Sequence, residues 1–208
     1  MRYLYIIVTI FSILAFNYSY SQKVNVSEKA SKPTAVDFFK EEIILSISDS
    51  LVSVEGIYYF FNHTDREMVF PVIFPFYVDS LSSYPHFIDA YIDDGDKTIK
   101  LEYKHTGFNK GIRLGIPLKP KEVTVWNIDY KQRLKSHHAK YILTSTGIWG
   151  KPLKEATYCF IVPEDIMDVK IWPDADTVYT VKETRVYKAI RRNFMPTKDM
   201  EISWNGNG

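Results

Sequence analysis

From residue 41 onward the chain alternates. Apolar and polar side chains take turns along short runs, and Gly, Pro, Asn or Asp closes each run. That period of two, punctuated at short intervals, is the sequence form of paired β-strands. The stretch that organises the rest is residues 141–163, YILTSTGIWGKPLKEATYCFIVP. Tyr141, Leu143 and Ser145 alternate with Ile142, Thr144 and Thr146. Gly147 breaks the run, Trp149, Gly150 and Pro152 fill a corner, and Tyr158, Phe160 and Val162 form a second apolar row. It reads as strand, tight connection, strand.

The same reading applies upstream and downstream. Ile43, Leu45 and Ile47 share one face of residues 42–48, and residues 51–62 form a long strand with aromatics on both faces near its end. Asn62-His63-Thr64-Asp65 supplies turn-forming side chains. Residues 67–78 return as a strand interrupted by Pro71 and Pro75, which cannot donate to a ladder, so this strand is at an edge, bulged or broken. Asp93-Asp94-Gly95-Asp96 predicts a hairpin with Gly where positive φ is needed. Further strands fall at residues 111–118, 123–130, 169–172 and 200–204. Residues 178–190 fit either period, and the β neighbours favour a strand. The whole reads as an all-β, antiparallel two-sheet β-sandwich, immunoglobulin-like or jelly-roll-like.

The N-terminus has a different character. Arg2, an uncharged apolar run over residues 3–16, and Ser19-Tyr20-Ser21 have the three regions of a secretory signal peptide. The run is short of the roughly 20 residues that a bilayer core requires, and no Cys follows it to carry a lipid anchor. Cleavage is expected near Ser21/Gln22. The predicted organisation is a signal peptide over residues 1–21, a polar flexible leader over 22–37, and a single all-β domain over 38–208. That implies a secreted or periplasmic protein without a membrane span in its mature chain.

Charge excludes more than it selects. The chain has 26 Lys plus Arg against 25 Asp plus Glu, so no long-range field favours nucleic acid or an anionic membrane. The one cysteine, Cys159, lies mid-strand and is expected to be a small buried side chain rather than a reactive thiol.

Tyr141, Leu143, Thr144, Gly147, Trp149 and Pro152 set out Tyr-x-Leu-Thr…Gly-x-Trp-x-x-Pro. This resembles a segment of uncharacterised exported bacterial β-sandwich proteins. Residues 54–62, 69–76 and 193–202 are similar to other parts of that family, and the likeness is patchy over residues 41–205. Ser145-Thr146 adds one residue before the Gly, so the corner is expected to bulge. The resemblance implies a fold. It implies no catalytic residues, because the family has no assigned activity.

The motifs of chemistry are missing from the sequence. The five histidines have no metal-ligand spacing, and His137 and His138 would point to opposite faces of a strand. The acids around Gly95 lack the Glu that an EF-hand needs, since position 101 is Leu101. No nucleophile elbow or Gly-rich phosphate loop occurs. No catalytic, metal or cofactor residue is therefore assigned. Two surface features remain as binding candidates. Tyr84, Phe108, Trp126, Trp149 and Trp172 lie in or beside turns, where aromatics can stack on sugars or anchor a partner. Arg185, Lys188, Arg191 and Arg192 form a basic cluster that could meet an anionic surface. The function expected is a non-catalytic binding or assembly role in the envelope or outside the cell, toward a protein or glycan. The alternatives are a carbohydrate-binding module and a hydrolase with a carboxylate pair assembled in space.

Overall fold

The computed structural model describes residues 34–205 except 49, 94, 96, 108 and 109. The expected signal peptide, most of the leader, Phe108, Asp94 and Asp96 lie outside the described residues. The chain runs β1 (Val36–Ser48), β2 (Leu51–Asn62), β3 (Met68–Pro75), β4 (Phe87–Asp93), β5 (Thr98–Lys100), β6 (Tyr103–His105), β7 (Gly111–Leu118), β8 (Val123–Arg133) and β9 (His138–Tyr141). A 3₁₀ helix follows (Thr144–Trp149), then β10 (Leu153–Pro163), β11 (Met167–Trp172), β12 (Thr177–Val181), β13 (Thr184–Phe194) and β14 (Met200–Asn205). The fold is all-β. The first strand opens at Val36, just inside the stretch read as leader.

The strands make one eight-stranded sheet, in the order β12-β13-β10-β1-β2-β8-β4-β5, and two three-stranded sheets, β3-β7-β6 and β11-β14-β9. Pairing is not purely antiparallel as expected. β1 and β10 run parallel, with Ile43 opposite Tyr158 and Leu45 opposite Phe160. Parallel neighbours need a long connection. Here β10 reaches the middle of the large sheet only after the chain has built most of the rest.

The stretch 141–163 also differs from its sequence reading. Tyr141 ends β9, which pairs with β14, while β10 pairs with β1 and β13, so the two halves belong to different sheets. The turn after β2 likewise crosses between sheets instead of closing a hairpin. Asn62 stitches that crossing: its Nδ2 donates to Arg66 O (2.9 Å) and Lys119 O (3.1 Å), and its Oδ1 accepts from the Thr64 amide (2.9 Å). A fully buried Asn is tolerated because it is bonded this way.

Other expectations hold. β2 has the bounds read from the alternation. β3, with Pro71 and Pro75, is an outer strand of its sheet. β4 and β5 form the hairpin around Gly95, whose φ is 78°. Residues 178–190 are strand, folded as the β12–β13 hairpin.

The buried rows of all three sheets share one core. β2 contributes Val52, Val54, Tyr58 and Phe60, β8 contributes Trp126, Ile128 and Tyr130, and β10 contributes Tyr158, Phe160 and Val162. Phe74 of β3 and Tyr141 of β9 meet Tyr58 and one another from the opposite side. Each such side chain contributes on the order of 1.5–3 kcal/mol by leaving water.

Candidate functional site

One charged residue lies in the core row. β1 begins with Val36 and Phe38 facing inward, and an unbroken strand would continue the inward row with Lys40 and Glu42. Instead the β1–β2 register skips Phe39: Phe38 is opposite Phe60 and Lys40 opposite Tyr59. This bulge shifts the inward phase by one residue, so Glu41, Ile43, Leu45 and Ile47 point in. Bulges re-aim side chains in this way. Glu41 is 2% exposed.

Cross-strand pairing sets its neighbours. Glu41 lies opposite Tyr58, and Tyr58 opposite Trp126. The Tyr58 and Trp126 rings stack at 4.5 Å and 23°. On the other side Glu41 faces Ala156, a small residue, and Ala156 faces Arg191. Gly56 lies two residues before Tyr58 on the same face, and the Tyr58 ring rests over it, where a Cβ would clash with the hydroxyl. Gly56→Ala is therefore expected to displace Tyr58 and cost about 1–3 kcal/mol, read from denaturant midpoints.

The opposite wall comes from β3, the end of β9 and the 3₁₀ helix. Leu143, Thr146 and Trp149 recur every three residues, which suits the three-residue turn of a 3₁₀ helix. The Asp199 carboxylate accepts from the Leu143 and Thr144 amides (3.2 and 3.1 Å) and the Thr144 hydroxyl (2.7 Å). Gly150 closes the helix with φ 66°, and its backbone N–H donates a hydrogen bond to Gly147 O. Strand alternation had predicted β structure through Ser145; these caps explain the helix. Trp149 is thereby laid on Phe38, Phe60 and Phe70, with centroids 5.2–5.5 Å away.

Between the walls is a cavity of about 60 Å³. Glu41, Tyr58 and Trp126 line it from the large sheet, and Phe74, Tyr141, Thr146 and Trp149 from the opposite wall. Ile73, Ile142 and Ser145 also line it, and Ile73 is 73% exposed, so the cavity approaches the surface at the seam between β3 and the 3₁₀ helix. The Tyr158 hydroxyl donates to Glu41 Oε1 (2.7 Å), and the Tyr58 and Tyr141 hydroxyls share a 2.5 Å bond. Burial pushes the Glu41 carboxyl up to about 7, against the opposing pull of the Tyr158 bond. Burial also holds the Tyr58 and Tyr141 hydroxyls well above the usual range, and Glu41 adds to both shifts. The Trp126 indole N–H is buried and has no hydrogen-bond partner among the described residues. Such a group costs on the order of 1–3 kcal/mol while it stays unpaired.

The aromatic candidates do not form a surface platform. Trp126 is 1% exposed, a core residue. Trp149 is half-buried on the core. Trp172 is half-buried against Phe194, and Tyr84 bonds His105 Nδ1 (2.7 Å) with its ring edge-on to Phe76. Among the described residues, two of these candidates, Trp126 and Trp149, line the same cavity.

The basic cluster is divided. Pairing with β10 puts Arg185 and Arg191 on one face of β13, and Lys188 and Arg192 on the other. Arg191 binds both Asp176 oxygens (2.9 and 3.0 Å) and Arg192 approaches Glu155 (3.7 Å). Cys159 is half-buried rather than in the core, and burial pushes its thiol up. Among the described residues no group of three or more His, Cys, Asp or Glu could hold a metal ion.

Register does assemble an acid row that sequence could not select. Glu55 lies opposite Asp129, and Asp129 opposite Asp89, on the outer face of the large sheet. Burial and then Glu55 raise the Asp129 carboxyl, while Lys100 pairs with Asp89 at 3.3 Å. Glu41, by contrast, carried a readable signal. It lies in phase with Ile43, Leu45 and Ile47, a carboxyl in an apolar row.

No family model matches the chain, and no curated protein is similar to it in sequence. Solved structures do share its fold. A Legionella pneumophila protein, provisionally named a nutrient binding protein, superimposes with a TM-score of 0.62 at 12% identity, covering 82% of this chain and 67% of that one. An M1 zinc metallopeptidase from Deinococcus radiodurans gives 0.51 at 10% identity over 81% of this chain and 42% of that one. A mutant of M1 zinc metallopeptidase from the same organism, bound to a Tyr-Ser-Ala substrate, gives 0.52 at 9%, with the same coverage. This chain thus spans less than half the length of those metallopeptidase chains. At these identities the likeness establishes the fold alone.

Proposed function

We propose that the chain is an exported, non-catalytic β-sandwich domain that works by binding, and that the Glu41 cavity is its ligand site. In this reading the two small sheets act together as the second layer of the sandwich. The observation that carries it is that a residue with a buried, unpartnered indole N–H, Trp126, and a residue with a buried carboxyl, Glu41, line one cavity that approaches the surface. A buried donor is costly unless an acceptor meets it, and a buried charge unless it is paired. The fold-level likeness to a protein named for nutrient binding agrees with this reading. Among the described residues no helix is long and apolar enough to cross a membrane.

The binding reading is tested by following the Trp126 indole N–H resonance against a panel of small cationic, neutral and anionic probes. Members of one class should shift it and leave the Trp204 indole unmoved, and Ser145→Trp, which plugs the mouth, should abolish the effect. If no class shifts it, the cavity is structural and the reading fails. Export has its own test. Protein recovered from its host should begin at or near Gln22; a chain that keeps Met1 and stays in the cytosol would contradict it.

A further inference from the structure

We infer that the cavity receives a compact primary ammonium that carries an oxygen acceptor close by, the chemistry of a small amino alcohol. This rests on the reading of the cavity as a ligand site and adds the class of ligand.

Charge argues for a cation. Glu41 is the one charged residue among those lining the cavity; no Lys, Arg or His lines it. One carboxyl oxygen is engaged by Tyr158, which leaves the other for a ligand donor. The Tyr58, Trp126, Phe74, Tyr141 and Trp149 rings enclose the space, and the faces of such rings attract cations most strongly when water is excluded. A buried carboxylate without a counter-charge is unfavourable, and an ammonium would supply one.

The second polar group narrows the class. Trp126 offers a donor, and an alkylammonium alone offers it nothing. A hydroxyl oxygen near the ammonium accepts from that N–H while the ammonium meets Glu41. Size limits the rest. A cavity of about 60 Å³, measured as the space open to water, holds about four or five heavy atoms, since one water needs about 10–15 Å³ of such space. A long or branched ligand would have to project through the opening beside Ile73.

The titratable groups around Glu41 are Tyr58 from β2, Tyr141 from β9 and Tyr158 from β10. Beyond them lie Tyr130 of β8 and Arg191 of β13, the latter paired with Asp176. The tyrosines remain protonated across the neutral range, so Glu41 sets the pH response. An ammonium binds the carboxylate form, and its affinity should rise about tenfold per pH unit below the Glu41 midpoint and then level off.

The test is titration with 2-aminoethanol, read at the Trp126 indole N–H and by calorimetry, from about pH 6 to about pH 8. Binding should tighten with pH. n-Propylammonium, alike in charge and size without the oxygen, should bind at least about threefold more weakly, the scale of one neutral hydrogen bond. Glu41→Gln keeps the acceptor for Tyr158 and removes the charge; it should fold and bind 2-aminoethanol at least about tenfold more weakly. Binding that weakens as pH rises, or an unaffected Glu41→Gln variant, would overturn the inference. If 1,2-propanediol or acetate shifts Trp126 and both ammonium probes do not, the ligand class falls while the site stands. If no probe shifts it, both fall.

Discussion

Trp126→Ala is expected to destabilise the protein by about 3–5 kcal/mol, the usual cost of truncating a buried aromatic, out of a total of about 5–15. Trp126 is 1% exposed and contacts Tyr58, Phe60 and Phe74. Its loss removes a ring stack and opens the floor of the cavity. Trp149→Ala removes a half-buried ring from Phe38, Phe60 and Phe70 and should cost less, about 2–3 kcal/mol. Urea unfolding of both variants gives the ranking. A Trp126→Ala loss below about 1 kcal/mol, typical of surface changes, would mean that this ring is not in the core.

The second large effect is on pH. Glu41 has an ordinary value of 4.5 and is raised to about 7 in the folded chain. Below about 4.5 the folded and unfolded chains both hold the proton. Between about 4.5 and 7 the unfolded chain releases it while the folded chain keeps it, so stability falls as pH rises through this window. Above about 7 both are ionised and the loss is complete. At 1.36 kcal/mol per unit the loss is roughly 3 kcal/mol. Glu41→Gln removes this dependence. The difference between wild-type and variant unfolding energies, measured across the window, isolates Glu41 from the other titrating groups. A constant difference would show that its environment leaves the carboxyl unshifted.

Alternation along β2 separated its two rows without showing which faces inward, and the prolines of β3 allowed the edge position it takes, because both depend on local geometry. Strand partners were not legible. The parallel pairing of Ile43 with Tyr158 and the Tyr58–Tyr141 bond join residues far apart in sequence, and a period of two sets a face, never a neighbour. The start of the 3₁₀ helix was read as strand and its end as a corner because its decisive cap, Asp199, comes from a distant loop. The site was half legible. Glu41 could be found by carrying the Ile43 row back two residues; the bulge at Phe39, which makes that phase differ from the one of Val36 and Phe38, could not. Trp126 was singled out as an aromatic in or beside a turn, yet it lies mid-strand in β8 and shares the inward face with Thr124, Ile128 and Tyr130.

The claim on which the cavity, its pH response and its ligand class all depend is that Glu41 is buried in its aromatic surroundings. It is measured by ¹³C-NMR titration of the Glu41 side-chain carboxyl. The account predicts a midpoint near 7, moved downward by 2-aminoethanol because a bound cation favours the charged form. A midpoint at the ordinary 4.5, unmoved by the amine, would contradict it.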